Sequence, residues 1–214
     1  MNSHSIRASY VAPIQSVAIR QMRRNKVREA IESIRVIQES LGINRDYLSL
    51  IRELLLNLAS NCELFPESDF APCQNAEGLF PLYRLSEDAD HSLAMYINSS
   101  VGNNDVPPHD HTTWAVTVSI KGSEENRFYE RVGHETRAFK CGLRQITSAT
   151  VRPGVGVCMM PDDVHSIHAR NSSTALILHM YGRAIDKLAG RSTFDIASNS
   201  YRVAAPHLHI IDAR

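Results

Sequence analysis

The spacing of apolar residues divides the chain into a helical N-terminal part and a β-rich remainder. Between residues 17 and 62, apolar side chains recur every three or four positions, the period of an amphipathic helix. A first stripe ends at Gly42 and consists of Val27, Ala30, Ile31, Ile34, Ile37 and Leu41. A second stripe, capped by Asn44 or Asp46, consists of Tyr47, Leu48, Ile51, Leu54, Leu55 and Leu58. The pattern predicts two helices.

From about residue 79 the apolar runs become short and are separated by turns. We predict strands at 79–85, 92–97, 114–121, 127–132, 144–151, 156–160, 165–169 and 174–181. Many short strands between turns that contain Gly and Pro favour an antiparallel barrel or jelly roll. The predicted fold is therefore mainly β, with an N-terminal helical extension at 1–70. A barrel with a C-terminal tail follows at 71–214, and the whole forms a single domain.

Composition narrows the function classes. The 214 residues carry 23 basic and 23 acidic side chains, so the zero net charge suggests neither a nucleic-acid nor a membrane partner. No apolar run approaches the length of a membrane span, and residues 1–17 show no secretory signal. The four cysteines lack a CxxC spacing, which is typical of reduced thiols in a cytoplasmic protein.

Three histidines form the main chemical candidate. His109 and His111 lie in the segment PPHDHTTW, and His165 follows in DVH. On a β-strand, residues i and i+2 point to the same face, so a third imidazole from a distant strand can complete a set of three nitrogens. Imidazole binds Fe, Zn, Cu and Ni alike, so the ligands do not select the metal. An H-x-H pair can also arise by chance among ten histidines.

The surroundings of these histidines resemble the two cupin motifs. Gly102 precedes the first pair, Gly122 follows it, and Pro161 precedes His165. The position of the cupin glutamate is Ala115. The resemblance implies a cupin (jelly-roll) barrel that holds its metal with three histidines and no carboxylate.

A wider set of motifs resembles the thiol dioxygenases, which include cysteine dioxygenase and the bacterial 3-mercaptopropionate dioxygenases. The motifs are, in order, Tyr83-Arg84, His109-Asp110-His111, Gly122, Asp163-Val164-His165 and His179-Met180-Tyr181-Gly182. The likeness covers roughly residues 79–185, together with a similar helical extension. It implies a non-haem Fe(II) enzyme whose partners are a small thiol and O2. Both oxygen atoms are added to the sulfur, which gives a sulfinate.

The resemblance also assigns roles to residues. His109, His111 and His165 match the iron ligands. Tyr181 matches the tyrosine beside the substrate and oxygen, and His179 matches the histidine that orients this tyrosine.

Substrate binding is predicted at two further residues. Arg84 matches an arginine that binds the substrate carboxylate, which suits the planar guanidinium. Trp114 could line a small pocket or could belong to the barrel core. Arg183 and Lys187 could contact a second carboxylate or could be exposed. Cysteine, 3-mercaptopropionate and mercaptosuccinate all remain candidate substrates.

Two positions depart from the family. Ile177 stands where many members have a serine that hydrogen-bonds the orienting histidine, so His179 must find another partner. Ala115 lies near the position of the cysteine that cross-links to the tyrosine in mammalian cysteine dioxygenases, so no thioether cofactor is expected.

Two other classes of function remain open. A three-histidine cupin dioxygenase for a non-thiol substrate, such as a diketone or a diol, would not need Arg84. A non-catalytic ligand-binding cupin would tolerate the loss of Tyr181.

Overall fold

The two predicted helices are confirmed. The computed structural model describes residues 3–132, 140–203 and 209–214, with side chains from residue 15 onward. Helix α1 (Ser3–Leu41) begins earlier than predicted, and α2 (Arg45–Ser60) follows after a short turn. Gly42 at the turn has φ +66°, a conformation that favours glycine. The Asn44 side chain accepts a hydrogen bond from the Tyr47 N–H at 2.8 Å, so Asn44 is the N-cap of α2.

Ten strands follow the helices in the described part of the chain. Their bounds are β1 (Leu82–Glu87), β2 (Ala94–His109), β3 (Ala115–Lys121), β4 (Glu124–Val132), β5 (Gly142–Val151), β6 (Gly156–Met159), β7 (Val164–Tyr181), β8 (Ser192–Asp195), β9 (Ser200–Val203) and β10 (Ile210–Asp212). All pairings between these strands are antiparallel except that of β1 with β10.

Strands β2 and β7 are long enough to belong to two layers. The first half of β2 pairs with the second half of β7 in the order β10-β1-β2-β7-β3-β6. The second half of β2 and the first half of β7 instead have β8 and β4 as outer neighbours. The register shifts between Ser100 and Gly102, where β2 passes from one layer to the other. A cavity between the layers is bordered by both, so the predicted mainly β jelly-roll barrel with an N-terminal helical extension is confirmed.

The strand bounds differ from the prediction in three places. Strand β2 continues to His109 through a polar stretch, and the predicted strands 165–169 and 174–181 are one continuous strand, β7. The C-terminal tail contributes β8, β9 and β10. Most residues of these additional stretches are polar. Pairing with neighbouring strands satisfies their backbone hydrogen bonds, and a search for apolar patterns in the sequence does not detect this contribution.

The helices cover the outer face of the layer formed by β10, β1, β2, β7, β3 and β6. Val27, Ile31 and Ile34 of α1 and the buried face of α2 pack with outward-facing residues of β1, β2, β3 and β7, whereas Leu41 is 51% exposed and lies outside this core. The described residues include no helix with the length and apolar character needed to cross a membrane.

Trp114 belongs to this outer core and not to the barrel interior. It is 1% exposed, and its ring meets the Tyr47 ring edge-on at a centroid distance of 5.7 Å. The next residue, Ala115, faces inward because side chains alternate along a strand. A Cβ atom on Gly182 would lie 2.3 Å from Trp114 Nε1, which explains the glycine that follows Tyr181. Of the two roles considered for Trp114, the structure thus favours a core position, here in the core under the helices, and Trp114 is not among the residues that border the cavity.

Candidate metal centre

Strand pairing brings His109 and His165 together. His109 ends β2, and its direct partner across the antiparallel pair is His165, near the start of β7. Opposite residues of such a pair project from the same face with their Cβ atoms about 5 Å apart. The two imidazole centroids accordingly lie 4.5 Å apart.

His111 reaches the same point from a loop. We predicted that it continues the strand of His109, but β2 ends at His109 and the chain bends at residues 112–113, where Thr112 has φ +56°. Asp110 holds the segment in between, because its backbone N–H donates to the Ser192 carbonyl and its carboxylate accepts from the Ser192 N–H. His111 Nε2 still lies 3.2 Å from His109 Nε2 and 3.4 Å from His165 Nε2. The prediction of a converging trio therefore agrees with the structure, although the local geometry differs.

Burial keeps these imidazoles neutral. All three are almost fully buried. Burial lowers the pKa of His109 to about 3, and it holds the pKa values of His111 and His165 well below their usual range, because an imidazolium would lose its hydration. Neutral imidazole is the form that binds a metal.

Hydrogen bonds at Nδ1 of His109 and His165 determine which nitrogen of each ring can bind a metal. His109 Nδ1 lies 2.9 Å from the Pro107 carbonyl and His165 Nδ1 lies 2.8 Å from Asn126 Oδ1. Both oxygens accept hydrogen bonds, so each neutral ring carries its proton on Nδ1 and an unprotonated lone pair on Nε2. These lone pairs point towards the same small space. The residues therefore fit a cation with imidazole ligands, as in many Fe, Zn, Cu and Ni sites.

Tyr181 and His179 lie beside the histidine cluster, as the family resemblance implies. The Tyr181 ring is 5.4 Å from the His111 ring, and its hydroxyl is 3.4 Å from His179 Nδ1. Burial raises the pKa of the Tyr181 hydroxyl, which therefore stays protonated at neutral pH and can donate a hydrogen bond.

Thr117 is a partner of His179 that the sequence did not reveal. Its hydroxyl lies 3.2 Å from His179 Nδ1 and projects from β3, the strand next to β7. Thr117 is the direct cross-strand neighbour of His179, so it offers a hydroxyl close to where the family serine would act. Ile177 therefore does not leave His179 without a hydroxyl partner.

A cavity of about 250 Å³ opens onto this cluster. Its walls combine apolar side chains from both layers with a few polar groups: Leu82, Ile167 and Ile185 on the apolar side, and His109, Glu124, His179, Tyr181 and Arg191 on the polar side. Such a small cavity with few, converging polar groups suits a small polar ligand.

Arg84 lies away from the residues that border this cavity. Its guanidinium forms ion pairs with Glu87 at 2.8 Å and Asp186 at 3.1 Å, and it lies over the Tyr96 ring. Two carboxylates already neutralise it and it is not among the residues that border the cavity, so substrate binding by Arg84 stays a prediction without structural support. Arg183 and Lys187 are both exposed.

Arg191 is the cation that borders the cavity. Its Nε donates to the Asp110 carbonyl at 3.3 Å, and its guanidinium forms no ion pair within the described ranges. Burial lowers the pKa of Arg191, but a guanidinium remains charged at neutral pH. The sequence analysis did not single out Arg191, because an arginine in a polar tail is expected to be exposed.

Comparisons with known proteins identify no family. No protein-family model matches the chain, and no curated protein matches it. Solved structures that it resembles include an oxalate oxidase in complex with the substrate analogue glycolate, at 16% identity, 43% of this chain, 42% of that chain and a TM-score of 0.33. A hydroquinone 1,2-dioxygenase from Sphingomonas sp. TTNP3 with 4-hydroxybenzoate bound matches at 8% identity, 67% of this chain, 73% of that chain and a TM-score of 0.38.

The cupin domain of Schizosaccharomyces pombe Cnp3 is also similar, at 10% identity, 48% of this chain, 60% of that chain and a TM-score of 0.36. The aligned part thus spans less than half of the oxalate oxidase and under two thirds of the Cnp3 domain. Because the three TM-scores lie below 0.5, we assign the fold from the strand order and register of this chain and not from these similarities.

The metal centre is tested by His165→Ala, with His168→Ala as the matched control. His168 lies on the same strand but contacts Ser166 and Asp105 outside the cluster. We expect His165→Ala to lose stoichiometric iron because it removes one of three ligands, whereas His168→Ala retains it. Metal analysis after anaerobic loading with Fe(II) and desalting measures this. Full iron content in His165→Ala would disprove the ligand assignment.

Proposed function

We propose that this chain is a non-haem Fe(II) thiol dioxygenase that converts a small carboxylated thiol to its sulfinate. One observation supports the proposal above all. Three neutral imidazoles converge, with no carboxylate among them, beside a cavity that also contains a tyrosine hydroxyl and an arginine without an ion-pair partner among the described residues. The motif resemblance to thiol dioxygenases supports the substrate class.

His109, His111 and His165 would hold the iron. Fe(II) with three neutral ligands would keep a 2+ charge and open positions, which favour binding of an anionic thiolate and activation of O2. In the overall reaction both atoms of one O2 form bonds to sulfur, and the thiolate RS⁻ becomes RSO2⁻. Sulfur supplies all the electrons, so no external reductant is needed.

Arg191 would bind the carboxylate of the substrate. Arg191 is partly buried, and its guanidinium is anchored through Nε to the backbone of Asp110, so its other nitrogens are available to a ligand in the cavity. A guanidinium can donate two parallel hydrogen bonds to one carboxylate, which fixes the orientation as well as the position of the substrate. In the sequence Asp110 stands between His109 and His111, two of the proposed iron ligands. The segment that anchors Arg191 would therefore also hold the iron.

Tyr181 would donate a hydrogen bond to the substrate or to oxygen. Its hydroxyl stays protonated because it is buried, and His179 fixes its direction. Thr117 in turn fixes the imidazole of His179. Both hydroxyls approach the same nitrogen, His179 Nδ1, so the imidazole has a hydroxyl partner on β3 as well as one on β7 without a serine at position 177.

The proposed reaction is tested by oxygen consumption of the anaerobically iron-loaded protein with cysteine, 3-mercaptopropionate, mercaptosuccinate and cysteamine. We expect one of the three acids to give a sulfinate, detected by mass spectrometry, with both oxygen atoms labelled when ¹⁸O2 is supplied. Iron-treated His165→Ala should give none. Disulfide as the sole product, or no product despite bound iron, would disprove the thiol dioxygenase assignment and favour a non-thiol substrate.

Two arginine variants decide which residue binds the carboxylate. Arg191→Met should raise KM for the carboxylated substrate at least about tenfold, since a charge-assisted hydrogen bond is lost, and should leave KM for cysteamine unchanged. Arg84→Met should change neither value appreciably. Steady-state kinetics on the two thiols measures both effects. If Arg84→Met alone raises KM for the acid, the sequence-based assignment is correct and ours is wrong.

The role of Thr117 is tested by Thr117→Val, which keeps the shape of the side chain, and by Thr117→Ser, which keeps its hydroxyl. Loss of one neutral hydrogen bond should lower kcat or the yield of sulfinate per O2 about two- to tenfold in Thr117→Val. Iron content should stay at the wild-type level. Thr117→Ser should behave as wild type; equal losses in both variants would indicate a packing role instead.

A further inference from the structure

Glu124 is a buried acid whose position the proposed reaction does not explain. It begins β4, is 3% exposed and borders the cavity. Burial raises the pKa of Glu124 to about 7, and the hydrogen bond from Asn126 opposes this rise. Burying a carboxyl group in this way costs stability unless its hydrogen bonds compensate. Among the described residues its carboxyl group accepts one side-chain hydrogen bond, from Asn126 Nδ2 to Glu124 Oε1 at 3.0 Å. The burial of this acid therefore calls for an explanation.

Asn126 connects this acid to a histidine of the metal centre. Glu124 and Asn126 are two positions apart on β4 and so share its inner face. The Asn126 side chain accepts with Oδ1 from His165 Nδ1 at 2.8 Å and donates with Nδ2 to Glu124. Phe128, two positions further on the same face, stacks on the His165 ring at 6.0 Å. Strand β4 thus contacts His165 through a hydrogen bond from the ring to Asn126 and through stacking of Phe128 on the ring.

The orientation of the Asn126 amide decides the chemistry of His165. With Oδ1 towards the ring, His165 carries its proton on Nδ1 and leaves Nε2 free to bind a metal. If the amide were reversed, its NH2 group would face Nδ1, and the neutral ring would carry its proton on Nε2. A proton there blocks metal binding. The two orientations have the same shape, so packing alone does not distinguish them.

We propose that Glu124 is a positioning residue for the metal centre, which acts through Asn126 to keep His165 Nε2 free for the metal. Ionised Glu124 only accepts hydrogen bonds, so in this form it favours the orientation of Asn126 that presents NH2 to Glu124 and Oδ1 to His165, as the structure shows. Partners of this kind beyond the ligands themselves typically contribute about 10- to 100-fold to metal affinity. The inference concerns metal binding and holds whichever substrate the cavity accepts.

The first test is the Fe(II) dissociation constant, measured anaerobically by competition with a chromophoric chelator. Glu124→Met removes the acceptor but keeps a side chain of similar length, and we expect it to weaken binding about tenfold. Its thermal unfolding temperature should not fall, because a buried acid is replaced by an apolar group. Unchanged affinity in a folded Glu124→Met protein would overturn the proposal.

The matched control is Glu125→Gln. Glu125 is the next residue, points outward and pairs with Arg127 at 2.8 Å. Its substitution should leave the dissociation constant unchanged, so an effect there as large as that of Glu124→Met would show a general electrostatic influence and contradict the specific role of Glu124.

A reciprocal exchange distinguishes the role of Glu124 from mere support of β4. At a pH well above the pKa of Glu124, where both side chains are ionised, Asn126→Asp alone places two acceptors against each other and should weaken Fe(II) binding. Adding Glu124→Gln supplies an amide donor at position 124, while the carboxylate at position 126 still accepts from His165. We expect the double variant to bind Fe(II) within about threefold of wild type, since the hydrogen-bond chain is restored in reverse. If the loss of Fe(II) affinity in the double variant equals the sum of the losses in the two single variants, expressed as free energies, the proposal is wrong.

These measurements are independent of the thiol dioxygenase assignment. The dissociation constants report on metal binding without substrate, so the inference can hold even if no thiol is oxidised. Conversely, sulfinate formation by the wild-type protein together with unchanged affinity in Glu124→Met would support the reaction and refute this role of Glu124.

Discussion

The antiparallel pairing of β2 with β7 is the contact on which the rest of the structure depends. The two strands share both layers of the barrel, and their register places His109 opposite His165. Because side chains alternate along a strand, a shift of one residue would turn His165 away from His109 and from the cavity. The same pairing sets the second half of β7, which brings His179 and Tyr181 next to β3 and its Thr117. His109, His165 and Tyr181 are therefore positioned by one register, whereas His111 joins them from the loop after β2.

The polar groups around the cavity are held by short, specific contacts. Asp110 bonds to Ser192 with its carboxylate and backbone and forms an ion pair with Arg131 at 2.9 Å. This network holds the segment between His109 and His111, and the Asp110 carbonyl also accepts a hydrogen bond from Arg191 Nε beside the cavity. A single residue between two ligands thus couples the histidine cluster to the cation that we assign to the substrate carboxylate.

Burial gives these groups their chemical states. The imidazoles are neutral, the tyrosine is protonated and the acid at the start of β4 has a raised pKa, because each would lose hydration in its charged form. The hydrogen bonds at Nδ1 then decide which nitrogen of two imidazoles is available. A polar cluster of this kind is costly to bury without a purpose, and a bound cation would satisfy the lone pairs that converge there.

The sequence by itself determined the helices, the mainly β character of the remainder and the three histidines with their tyrosine, because these depend on local periodicity and on short motifs. It did not determine where polar strands pair, so the second half of β2 and the strands of the tail were missed. Arg84 was assigned to the substrate from the family resemblance, and Trp114, three residues after His111, either to the pocket or to the core. Only the tertiary structure showed that Trp114 packs under α2 and that Glu87 and Asp186 neutralise Arg84. Thr117, Asn126, Glu124 and Arg191 became visible only there, since their contacts with the site cross between strands or arrive from a distant segment, and such contacts leave no periodic signal in the chain.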